Sequence, residues 1–117
     1  NTGLILNFAL NYGGRAEIVQ AVKMIAQDVL DAKFSLGEID EEMIANYLQT
    51  SSLPRLLRNP DLVIRTSGEL RLSNYLPWQS AYSELYFTDI LWPDFDEKAL
   101  KAAIEEYSKR NRRFGGV

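Results

Sequence analysis

Two arginines and two serines stand within nine residues around a glycine in Arg65-Thr66-Ser67-Gly68-Glu69-Leu70-Arg71-Leu72-Ser73-Asn74. A guanidinium offers a planar fork of donors that matches phosphate oxygens two at a time. Serine hydroxyls add neutral donors. Gly68 allows the backbone to approach a ligand closely or to take positive φ. This is the donor set that a diphosphate site needs. The same residues also suit a solvated loop whose arginines pair with Asp61, Glu69 and Glu84. Glu84 lies in the apolar and aromatic stretch Ala81-Tyr82-Ser83-Glu84-Leu85-Tyr86-Phe87. A carboxylate there is either a partner for an arginine or a ligand for a hard cation. Mg²⁺ takes one or two carboxylates and completes its shell with substrate phosphates and water.

Two further clusters are weaker. Asn11-Tyr12-Gly13-Gly14-Arg15 has the composition of a turn before a helix, and helix N-termini bind anions. It lacks both the dinucleotide and the P-loop spacing, so a tight turn with a surface arginine is the better reading. The basic tail Arg112-Arg113-Phe114-Gly115-Gly116 reads either as a solvated terminus or as an anion-binding arm. Trp78 and Trp92 read as core or interface residues.

Composition narrows the chemistry. The 117 residues contain neither His nor Cys. Ser-His-Asp schemes, thiolate zinc sites, cysteine nucleophiles and disulfides are therefore excluded. Lys and Arg number 13 against 16 Asp and Glu, a net charge of -3. That balance disfavours a general nucleic-acid binder. No stretch resembles a signal peptide or a membrane span.

The elements that must position these residues follow from apolar spacing. Residues 4–10 form a nearly continuous apolar run, which predicts a strand buried on both faces. Ile18, Val22, Ile25 and Val29 recur at three- and four-residue steps and predict a helix over residues 15–32. Asp40 is placed to cap a second helix, with Glu41 and Glu42 in its first turn. A short helical turn is expected between Pro54 and Pro60. Residues 61–66 predict a second buried strand, and residues 84–88 a third. Residues 76–82 read as a short helix. Asp96 is placed to cap a last helix, with Phe95 and Leu100 as its hydrophobic staple. This order predicts an α/β layered fold with a parallel central sheet and flanking helices. The arginine cluster then begins where a strand ends, the position at which open α/β sheets hold ligands.

The chain resembles the cis-prenyltransferase family. The resemblance rests on four ordered stretches. They are residues 7–15, residues 65–87 from Arg65-Thr66-Ser67-Gly68-Glu69 to Glu84-Leu85-Tyr86-Phe87, Leu91-Trp92-Pro93-Asp94-Phe95, and Arg112-Arg113-Phe114-Gly115-Gly116. It implies an α/β fold and a Mg²⁺-assisted reaction. Isopentenyl diphosphate would be condensed onto farnesyl diphosphate, in the bacterial branch yielding undecaprenyl diphosphate for cell-wall synthesis. Arg65, Arg71 and Ser73 would bind isopentenyl diphosphate. Glu84 would serve the metal. Arg113 and Gly115 would reach a partner subunit's site in a homodimer. A cytoplasmic protein, at most peripheral at the membrane, is implied as well, with no nucleic-acid partner.

Two departures matter. Some relatives carry His where this chain has Leu70. Family members are also about twice this long, and their N-terminal half carries an Asp-Gly-Asn-x-Arg-Trp motif that is missing here. The resemblance thus makes residues 1–117 the C-terminal part of a single catalytic domain, without the family's catalytic Asp and inactive alone. The alternative is a non-catalytic diphosphate-binding or partner subunit.

Overall fold

The computed structural model describes residues 3–110. Helix α1 spans Gly14–Leu30, α2 spans Glu41–Tyr47 and α3 spans Glu97–Ser108. Strands β1 (Leu62–Arg65) and β2 (Glu84–Phe87) pair in parallel, with Leu62 opposite Glu84 and Arg65 opposite Phe87. Short 3-10 turns at Leu36–Glu38, Gln49–Ser52, Arg55–Leu57 and Trp92–Asp94 join these elements. The result is the expected α/β class, with a parallel sheet and flanking helices.

Local signals explain the helix starts. The Asp40 carboxylate accepts from the Met43 N–H at 2.8 Å. The Asp96 carboxylate accepts from the Ala99 N–H at 2.9 Å. Both satisfy a first-turn donor that the helix cannot satisfy itself. Phe95 stacks on Trp92, with ring centroids 6.3 Å apart. Arg58 then fastens the segment after α2, donating to the Asn46 side chain and to the carbonyls of Ser51 and Leu53.

Three expectations are corrected. Residues 4–10 are not a strand, and Leu4, Leu6, Phe8 and Leu10 are each at least 70% exposed. A strand exists only through a neighbour's ladder, and among the described residues β1 and β2 pair only with each other. Residues 76–82 form consecutive turns rather than a helix. Proline at position 77 suits a first turn, but Leu76 enters with a left-handed φ of 47°. The buried stripe of α1 is Gly14, Glu17, Ala21 and Ile25, while Val22 lies exposed. The core is correspondingly small, with Ala21, Ile25, Leu48 and Ala103 its buried apolar residues.

The parallel pair needs a crossover, which is usually a helix. Here residues 66–83 make the crossing through turns alone. That crossover contains the arginine cluster.

Candidate functional site

Beyond Arg65 the chain turns through Ser67 and Gly68, with φ of 65° and 71°. The Ser67 and Gly68 N–H groups donate to the carbonyls of Ile90 and Thr88, each at 2.9 Å. These bonds pin the turn to the C-terminal end of the sheet. A Cβ on Gly68 would stand 3.1 Å from the Asp89 carboxylate. Glycine is therefore favoured here by its backbone angle, and a Cβ would need that carboxylate to give by a few tenths of an ångström.

Glu69 gathers both arginines. Its Oε2 accepts from Arg65 at 3.3 Å and also from Arg71. Arg65 is half-buried and Arg71 exposed. The pairing expected of a solvated loop is thus present, and it concentrates two guanidinium groups at one sheet end. Exposed ion pairs contribute about 0–1 kcal/mol, so Glu69 is an exchangeable partner for them. The exposed Ser73 follows with φ 51°, and its hydroxyl has no bonding partner among the described residues.

The Gly13-Gly14-Arg15 turn binds protein rather than a free anion. The Gly14 N–H donates to the Asn74 carbonyl and the Arg15 N–H to the Asn74 Oδ1, both at 2.8 Å. No side chain at the preceding Gly13 could supply this cap.

Behind the loop lies a buried polar centre. Glu17 is 4% exposed. It accepts from the Tyr12 hydroxyl, from the Gln49 N–H at 2.6 Å and from Gln79 Nε2 at 3.2 and 3.3 Å. Gln79 also donates to Thr50. Burial first, and then Glu17, push the Tyr12 hydroxyl well above the ordinary phenol range. The reading from sequence missed Glu17, Gln79 and Asn74. The four-residue spacing of Glu17, Ala21 and Ile25 carries a signal for Glu17. Nothing local marks Asn74.

Glu84 stands elsewhere. It opens β2 opposite Leu62, roughly 10 Å of strand from the level of Arg65. Within one chain it does not join the arginine cluster. Its Oε1 pairs with Arg110 at 3.4 Å, and Arg110 also donates to the Leu85 carbonyl at 2.7 Å. Its carboxylate is engaged through one oxygen, which suits a single ligand to a hard cation. Among the described residues no three Asp or Glu side chains gather to hold a metal. An ion at Glu84 would draw its remaining ligands from phosphate and water. Arg113 and Gly115 lie outside the described residues.

An isoprenyl transferase from Streptococcus mutans is 77% identical over the whole of this chain, which covers 47% of that protein. One from Streptococcus pneumoniae is 75% identical, with 46% covered. The chain therefore spans about half the length of these relatives. Among solved structures, lavandulyl diphosphate synthase from Lavandula x intermedia, in complex with dimethylallyl diphosphate, superposes with a TM-score of 0.84 at 42% identity. That match covers 89% of this chain and 43% of the plant protein. A probable undecaprenyl diphosphate synthase from Campylobacter jejuni gives a TM-score of 0.70 at 34% identity, over 91% of this chain and 45% of that one. The family model of the undecaprenyl diphosphate synthases matches residues 1–115, and with the shared α/β framework this establishes that the chain belongs to that prenyltransferase family.

Proposed function

We propose that this chain supplies the isopentenyl diphosphate subsite of an enzyme that extends farnesyl diphosphate to undecaprenyl diphosphate. One observation carries the reading. Two guanidinium groups share a single weakly held carboxylate on a loop at the C-terminal end of parallel strands. An incoming diphosphate offers more charge and more oxygens than Glu69, and it takes over both forks. Ser73 adds a neutral donor from the same loop. Arg65, held closer to the sheet, fixes the inner phosphate, and the more exposed Arg71 closes on the outer one.

Glu84 is the carboxylate that would hold Mg²⁺, through the oxygen that Arg110 leaves open. The ion, when bound, would neutralise diphosphate charge and ease departure of the allylic diphosphate. Arg113 and Gly115 on the tail would complete a diphosphate site across a homodimer. Arg110, pinned to the start of β2, sets the root of that tail. No helix among the described residues is long and apolar enough to cross a membrane. We place the enzyme in the cytoplasm, delivering its lipid product at the membrane surface.

The test is Arg71→Ala in the full-length protein. Loss of one charge-assisted phosphate contact is worth about 1.5–3 kcal/mol, so KM for isopentenyl diphosphate should rise roughly ten- to a hundredfold. KM for farnesyl diphosphate should stay within about twofold, because no phosphate contact to it is lost. Equal losses for both substrates would contradict the assignment.

A further inference from the structure

Asn74 joins the site loop to α1 twice, once through its backbone and once through its side chain. Its carbonyl accepts from the Gly14 N–H and its Oδ1 accepts from the Arg15 N–H. It lies in the left-handed region at φ 66°, directly after Ser73 at 51°. Asparagine is among the few residues that enter this region readily. On the opposite side of the contact, a Cβ on Gly14 would stand 2.1 Å from Pro77 Cδ and 2.7 Å from the Asn74 carbonyl oxygen. The Gly14 backbone therefore meets the Pro77 ring and the Asn74 carbonyl directly. Tyr12 and Tyr75 pack edge to face beside them, with centroids 5.6 Å apart. Ser73, by contrast, makes no bond of its own among the described residues.

We propose that Asn74 is a positioning residue for diphosphate binding, seating its turn on the first turn of α1 so that Ser73 and Arg71 face the sheet end. This rests on the reading of residues 65–73 as the isopentenyl diphosphate subsite. The amide pair of Gly14 and Arg15 is committed to Asn74. Helix α1 therefore serves the site as a fixed bracket, and its first-turn donors order the loop rather than touch the ligand.

The experiment compares Asn74→Ala, Asn74→Asp and Asn74→Gly with Arg71→Ala in the full-length enzyme, reading kcat and both KM values. Asn74→Ala should raise KM for isopentenyl diphosphate about tenfold, the equivalent of one lost hydrogen bond, with KM for farnesyl diphosphate unchanged. Asn74→Asp should restore it to within about threefold, since a carboxylate accepts from Arg15 and suits a helix N-terminus. Asn74→Gly keeps the backbone angle and the carbonyl contact, and should fall between the two.

An effect of Arg71→Ala without any effect of Asn74→Ala overturns the proposal and leaves the functional reading standing. No effect of Arg71→Ala removes the functional reading, and this inference with it. Failure of Asn74→Asp to rescue overturns the acceptor role. Should the alanine variant lose its far-UV circular dichroism, a folded Asn74→Gly with unchanged KM overturns the proposal by itself.

Discussion

A carboxylate outside the site, Asp28, couples the packing of two helices to pH. It accepts from the Tyr47 hydroxyl and pairs with Lys33 at 3.4 Å, tying α1 to α2. The Tyr47 hydrogen bond first, and Lys33 after it, hold its pKa below the ordinary 3.8. A depressed folded pKa adds stability above the unfolded value, and that stability is lost as pH falls through the folded one. Asp28→Asn should flatten that acidic limb, read as the midpoint of urea denaturation between pH 6 and pH 3. A limb as steep as in the parent would show that the pair contributes nothing. The tyrosine gives the opposite sign at high pH. Its hydroxyl is pushed up by Asp28, so its neutral form is the one the fold favours.

At the scale of elements, the buried centre at Glu17 links three segments: the turn before α1, the 3-10 turn at Gln49–Ser52 and the end of the crossover. Removing its carboxylate takes an acceptor from the half-buried Tyr12 hydroxyl, from the exposed Gln49 and from the buried Gln79, which keeps Thr50. Loss of a partner at a buried polar group costs about 1–3 kcal/mol, so Glu17→Leu should destabilise the fold by about that much. Glu17→Gln, which keeps one acceptor, should lose markedly less. Denaturation of both variants checks this, and equal losses would refute it.

The same elements show what the sequence makes readable. The caps at Asp40 and Asp96 and the strands around residues 62–65 and 84–87 are legible because their signals lie within a few residues. The pairing of Arg65 and Arg71 with Glu69 is legible for the same reason. Residues 4–10 are misread because their apolar run says only that the segment wants to be covered, not by what. Asn74 escapes because its partners at Gly14 and Arg15 lie far along the chain. Glu17 escapes because a glutamate on a helix is normally a solvated residue.

At the scale of the whole molecule, the apolar residues Leu4, Leu6, Phe8, Leu10, Val19, Val22 and Leu30 remain largely exposed. The radius of gyration is 16.9 Å, against about 13 Å for a compact domain of this length. Scattered exposed apolar residues are ordinary, but a run of them beside an uncovered helix face marks a surface that belongs against something. The 117 residues alone should therefore bind a hydrophobic dye such as ANS. They should also yield no long-chain product from farnesyl and isopentenyl diphosphates with Mg²⁺. Elongated product from this chain by itself would refute the prediction of inactivity. An absence of dye binding would show that the apolar surface is covered in solution.

The helix-free crossover bears on how this protein tolerates change in length. Surface connections usually accept insertions, since nothing depends on their span. Residues 66–83 are fixed at Thr88 and Ile90, again at Gly14 and Arg15, and finally where the Ser83 hydroxyl meets the Pro60 carbonyl. These anchors divide the crossover into short spans, with the mostly exposed residues 69–73 between the first two. An insertion at one of the anchored turns would disturb the strand pairing or the seat on α1, whereas residues 69–73 have room for one. The stretch that looks most like a loop is thus held at points along its length.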